Sequence, residues 1–134
     1  MGESSDGIHQ AEKLRWRSKN FALRVVRFLR TLPRTQESRV ISGQLLRSGT
    51  SVAANYRAVS RSRSTAEFIS KIGIVIEEAD ESLFWLEVLS ELSIAKGPGI
   101  DELLNEGEEL LSIFVVSQRT ARRRAGSSQP PGPR

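Results

Sequence analysis

The chain has 134 residues, 38% of them hydrophobic and 27% charged, which is enough for one domain with a real core. It has no cysteine, which excludes a disulfide framework and thiolate metal sites, and no apolar run near the roughly 20 residues of a spanning helix. Its net charge of +4 hides a strong sorting: thirteen Lys/Arg against four Asp/Glu over residues 1–63, two against twelve over 64–118, and five arginines without an acid over 119–134.

Residues 1–11 are polar, lack the basic start and apolar core of a signal peptide, and read as a disordered leader. A first helix is expected from about Glu12 to Leu32, because Leu14, Phe21, Val25, Leu29 and Leu32 recur on one face, widened by Ala22 and Val26. Pro33 ends it. Lys13, Arg15, Arg17, Lys19, Arg24, Arg27 and Arg30 lie along this helix, with no acid after Glu12. Arginine suits phosphate through its planar fork, and Trp16 and Phe21 offer stacking surfaces. The competing expectation is that these cations pair with Glu77, Glu78, Glu81, Glu87 and Glu91 further along the chain.

Thr35 is the expected N-cap of a second helix over residues 36–60, whose apolar side is Val40, Ile41, Leu45, Val52, Tyr56 and Val59. Ser48-Gly-Thr-Ser51 and Ala53-Ala54 form a dense small-residue patch. Glycine in a helix costs about 1 kcal/mol, so the patch predicts close approach of a neighbouring backbone. Asn55 and Arg57 follow it, and structural use is expected of both.

Ser64-Thr-Ala-Glu67 has the form of a capping box and starts a third helix that runs to about Ile94. Phe68, Ile72, Val75, Ala79 and Leu86 make its core stripe. Phe84, Trp85, Val88 and Leu92 spread apolar surface further round, which predicts a second burial surface. Lys96-Gly-Pro-Gly99 is a stop and turn. Asp101 is the expected cap of a fourth helix over residues 101–124, with Leu103, Leu104, Leu110, Leu111, Phe114 and Val115 inward. Arg119, Arg122, Arg123 and Arg124 complement that helix's C-terminal dipole or form a short nucleic-acid or protein-binding arm. Residues 125–134 read as a disordered basic tail. The fold class is thus all-α, a four-helix bundle over residues 12–124, and short links make it antiparallel and up-and-down.

The acidic run Glu77-Glu78-Ala79-Asp80-Glu81 invites a metal site, but the one histidine, His9, lies in the leader and no Glu-x-x-His occurs. Nucleophilic catalysis lacks a base, and no phosphate-binding glycine loop is present. No enzyme activity, cofactor or metal is expected.

Gln44-Leu-Leu-Arg-Ser-Gly-Thr-Ser-Val-Ala-Ala-Asn-Tyr-Arg57, Glu67-Phe-Ile-Ser-Lys-Ile72 and Glu77-Glu-Ala-Asp-Glu-Ser-Leu-Phe-Trp-Leu-Glu87 carry an ordered set of motifs. Across residues 14–118 the chain resembles the bacterial four-helix bundle proteins, also called ribosomal S23 or 23S rRNA intervening-sequence proteins. The resemblance implies a homopentamer without enzymatic activity. It also implies kinship with the accessory variability protein of diversity-generating retroelements, a basic pentamer that binds nucleic acid and a reverse transcriptase. Gln44, Arg47, Asn55, Arg57, Glu77, Glu81, Trp85 and Glu87 fall in its motifs and are assigned to helix packing or an oligomer interface. Where many members read Asn-Ile-Ala-Glu-Gly, this chain has Asn55-Tyr-Arg-Ala58.

Two functions follow as expectations. One is a cytoplasmic oligomeric adaptor that binds RNA or DNA, with a reverse transcriptase as a further partner. The other is a protein-interaction module whose charges are consumed by self-assembly.

Overall fold

The computed structural model describes residues 2–128. It contains four helices and, among the described residues, no strand: α1 (Gly2–Leu29), α2 (Gln36–Val59), α3 (Thr65–Glu91) and α4 (Pro98–Ser128). Each helix packs against two others, α1 on α2 and α4, and α3 on α2 and α4. No contact joins α1 to α3 or α2 to α4, so those pairs lie across the core from one another. No described helix is long and apolar enough to cross a membrane.

The core follows from the helical periodicity. Leu14, Phe21 and Val25 of α1 meet Leu45, Val52, Tyr56 and Val59 of α2, Ile72, Val75, Leu86 and Leu89 of α3, and Leu103, Leu110 and Phe114 of α4. The Tyr56 and Phe114 rings approach to 5.5 Å between centroids. Val40, expected on the inward side of α2, is 61% exposed. It precedes Ile41 by one residue, about 100° round the helix, and only Ile41 reaches the core.

Helix boundaries are set by capping. Thr35 accepts the Ser38 amide at 3.2 Å and Ser64 accepts the Glu67 amide at 3.1 Å, both as the sequence predicts. α1 stops at Leu29 rather than Leu32, because the residue before Pro33 is driven out of helical geometry and the last turn tightens to i→i−3 bonds at Thr31 and Leu32. α3 stops at Glu91 rather than Ile94. Ser93 takes the left-handed conformation at φ 58°, the Ile94 amide bonds the Leu89 carbonyl and the Ser93 amide bonds the Ser90 carbonyl, a Schellman motif built without glycine. Asp101 is not the cap of α4. Pro98 occupies the first helical position, where its missing N–H costs nothing, and the Asp101 amide already bonds the Gly97 carbonyl at 3.2 Å.

Two helices run beyond the bounds expected from the periodicity. Residues 2–11 continue α1, and residues 125–128 continue α4. Extending an existing helix adds one hydrogen bond for each residue ordered, whereas only nucleation is costly, so polar residues flanking a packed helix join it. Residue 1 and residues 129–134, the rest of the expected leader and tail, lie outside the described residues.

The small-residue patch is a packing seam. Gly49 is buried against α1, where a Cβ would stand 3.2 Å from Val25 Cγ1. Ser48 and Ser82 share a hydrogen bond of 3.0 Å between α2 and α3. A second close approach, missed in the sequence, is Gly107 on α4, where a Cβ would come within 2.8 Å of Leu83 Cδ2.

Candidate nucleic-acid interface

The arginines of α1 divide into two sets by where the helix turns them. Arg17 and Arg24 are one heptad apart and face α4. Arg17 donates to Glu106 through Nη2 at 2.5 Å and Nε at 3.2 Å, and to Glu109 at 3.2 Å. The side chains of Arg17 and Glu106 are only 18% and 16% exposed. Arg24 stands 3.6 Å from Glu102. The Glu106 hydrogen bond, against the opposing cost of burial, raises Arg17 above its ordinary value.

The expected pairing of α1 with the acids of α3 therefore does not occur among the described residues, since α1 and α3 do not touch. The partners are Glu102, Glu106 and Glu109. Their 4-and-3 spacing marks one face of α4, a signal present in the sequence but overshadowed by the denser acidic run of α3.

The acids of α3 are met from α2. Arg47 binds Glu78 at 3.2 Å and makes a very short contact with Glu81, and Trp85 Nε1 donates to Glu81 at the long distance of 3.5 Å. Three residues assigned to helix packing or an interface, Arg47, Glu81 and Trp85, are thus brought together on the α2–α3 seam. Gln44, Arg57, Glu77 and Glu87 are exposed and make no ion pair among the described residues. Asn55 bonds the Ser51 carbonyl of its own helix at 2.9 Å, one turn back, rather than a neighbouring helix.

The Arg47 hydrogen bond holds the Glu81 carboxyl below its ordinary value of 4.5, with burial opposing, and Lys71 does the same for Glu67. A carboxylate whose folded pKa is depressed binds fewer protons folded than unfolded. Its stabilisation is present above the unfolded value and lost as pH falls through the folded one. Arg47→Gln is expected to lower the urea midpoint at neutral pH, and its midpoint and that of the wild type should converge in acid below 4.5. A gap that persisted in acid would assign the effect to packing of the arginine stem instead.

The second set of cations faces outward. Lys13, Arg15, Lys19, Arg27 and Arg30 are exposed and make no ion pair among the described residues. Between them stand Trp16, 67% exposed, and Leu23, 43% exposed, whereas Phe21 is buried in the core and offers no stacking surface. Arg30 also lines a shallow groove of about 510 Å³ between α1 and α2 with Arg34 and Arg39, two exposed arginines the periodicity did not single out because one lies in the link and the other just past a helix start. Among the described residues, no acid lines that groove. Arg119, Arg122, Arg123 and Arg124 are exposed along the last turns of α4, the other end of the chain's basic sequence.

A comparable outward face on α3 is apolar and acidic: Ile74, Phe84 and Leu92 are 45%, 53% and 60% exposed, and Glu77 lies among them. The Phe84 ring packs edge-on to Trp85 at 4.9 Å. Of the second apolar surface expected of this helix, Phe84 and Leu92 are uncovered in the single chain, whereas Trp85 and Val88 pack partly against the core.

Residues 13–115 match the family model described as 23S rRNA-intervening sequence protein. A solved structure from Bacteroides thetaiotaomicron, a protein of unknown function from the S23 ribosomal protein family, is 31% identical in sequence. It aligns with a TM-score of 0.74 over 81% of this chain and 97% of its own. No curated protein matches the chain significantly.

Proposed function

Since the chain belongs to the 23S rRNA-intervening sequence protein family, we propose that it is a non-catalytic adaptor, an antiparallel up-and-down bundle that self-associates and binds RNA or DNA through its outward cationic surface. The observation that carries this reading is the groove at the α1–α2 link, where Arg30, Arg34 and Arg39 converge with no acid among the lining residues. Of the six arginines and lysines of α1 and Arg30 just past its end, the two that face α4 are neutralised within the chain. What stays unpaired is concentrated on one side, beside an exposed tryptophan able to stack on a base. The pentameric state and a reverse transcriptase partner rest on the resemblance of motifs and belong to the same proposal.

Filter binding of single-stranded RNA over a salt series tests it. Each phosphate contact contributes roughly 0.7 to the slope of log affinity against log salt for a single strand. The triple variant Arg30→Gln/Arg34→Gln/Arg39→Gln is expected to bind more weakly at every salt concentration, with a slope shallower by about 2. An unchanged slope overturns the assignment of this surface.

The exposed Ile74, Phe84 and Leu92 favour a second reading, in which the acidic and apolar face of α3 covers the basic α1 face of another copy. Such a head-to-tail contact closes into a ring where the rotation between copies allows it. Arg27→Glu separates the two. Loss of the oligomer in size-exclusion chromatography assigns that cation to assembly, whereas an intact oligomer that has lost RNA assigns it to nucleic acid.

A further inference from the structure

At one end of the bundle, the start of α1, the end of α2, the start of α3 and the end of α4 surround a cleft of about 660 Å³. Its walls are apolar where Leu14, Val59, Phe68 and Val116 meet. Among the described residues, no acidic side chain lines it. Arg63 and Arg124 stand at its edge, with Arg63 held only loosely by Glu67 at 3.9 Å.

Three polar features of this cleft have no use within the chain. Tyr56 lines it and is only 4% exposed, yet its hydroxyl bonds no described residue. That hydroxyl is not fully enclosed, and Tyr56 opens onto solvent at the cleft it lines. Burial, opposed by the charge of Arg15, pushes its pKa up to about 12, so it stays a neutral donor. Ser62 also lines the cleft, but its hydroxyl is enclosed beneath that lining and bonds no described residue. Finally, Ser64 caps the Glu67 amide, which leaves the Thr65 and Ala66 amides at the positive end of a 27-residue helix without a partner among the described residues.

We infer that this cleft is a mononucleotide-sized subsite, in which a heteroaromatic base enters the apolar walls against Tyr56 while its phosphate rests on Arg63 and the start of α3. A purely aliphatic anion fits less well, because it would cover the Tyr56 hydroxyl and leave it unbonded, where an unmade hydrogen bond is costly. A base presents a polar edge to the Tyr56 hydroxyl and flat faces to Phe68. The volume lies within the range of small-molecule sites, about 300–1,000 Å³. The inference deepens the nucleic-acid reading above by naming the chemistry of one nucleotide, at a site that shares no lining residue with the arginine groove.

The full chain is titrated with AMP, inorganic phosphate and decanoate by amide-resolved NMR. Saturable shifts of the Thr65 and Ala66 amides are expected with AMP, stronger than with phosphate and absent with decanoate. Tyr56→Phe keeps the ring and its packing and is expected to weaken AMP about threefold to tenfold. Arg63→Gln, at an exposed position, is expected to weaken it about tenfold and to flatten its salt dependence. The Arg30→Gln/Arg34→Gln/Arg39→Gln protein should bind AMP as the wild type does, so the groove and the cleft fail or stand separately. No saturable AMP binding, AMP binding indifferent to both Tyr56→Phe and Arg63→Gln, or a preference for decanoate would each overturn the inference.

Discussion

Gly49→Val is expected to lose about 3 kcal/mol of folding stability, while Gly49→Ala stays within about 1 kcal/mol of the wild type. The cause is the position of Val25. An added Cβ would stand 3.2, 3.4 and 3.5 Å from its two γ carbons and its Cβ. Val25 is fully buried and, being β-branched in a helix, has one strongly preferred rotamer, so it cannot turn away. For alanine the strain of a few tenths of an ångström is offset by the better helix propensity. For valine two further carbons enter a seam with no room, and α1 must move off α2. Gly107→Val provides the comparison. There the obstacle is the tip of Leu83, at 2.8 Å from the added Cβ, and a leucine tip at the edge of the core can swing. Urea unfolding of the four variants, Gly107→Ala included, reads the order directly. Gly49→Val as stable as Gly49→Ala would sink the account of the seam.

Reversing the charge at Arg17 is the second large effect. Arg17→Glu should lose about 3 kcal/mol, because it removes two charge-assisted bonds to a half-buried carboxylate and sets a like charge beside Glu106 and Glu109. The double variant Arg17→Glu/Glu106→Arg should recover part of the loss, since the pair is restored in reverse. Glu109 is 70% exposed and contributes little to the balance. A thermodynamic cycle over Arg17→Ala, Glu106→Ala and the double alanine variant is expected to show a coupling of about 1–2 kcal/mol. Strict additivity would mean that the contact is incidental. At Arg47, whose ion pairs are exposed, the same reversal should matter far less.

These two sites differ in how much of them the residue order discloses. The Gly49 seam is legible because small residues inside an otherwise apolar helix have few other uses, and Ser48 and Gly49 are buried as expected. The caps at Thr35 and Ser64 are legible for a similar reason: they are local chemistry, decided within four residues. Gly107 was not legible, since a lone glycine among Asn105, Glu106, Glu108 and Glu109 looks like part of a solvated stretch, and only the arrival of Leu83 and Phe21 from other helices explains it. The end of α3 was misplaced by three residues because a serine in the left-handed region leaves no mark in composition.

The candidate site shows the same division. The outward cations of α1 are those the sequence offered, less Arg17 and Arg24. Arg34 and Arg39 joined them only through the geometry of the link. Tyr56 reads in the sequence as one more core residue, and its unbonded hydroxyl appears only once the ends of four helices enclose a common space.

By itself the residue order determined that there are four helices, which face of each is apolar, where two of them begin, and that positive and negative charge are segregated along the chain. Those properties depend on neighbours within a turn or two, where periodicity and capping act. Only the tertiary structure decided which charges cancel. A helix's phase says which way an arginine points but not which helix stands there. With α3 across the core from α1, the arginines of α1 turn to Glu102, Glu106 and Glu109, Arg47 answers the acids of α3, and the remaining cations are left to the outside.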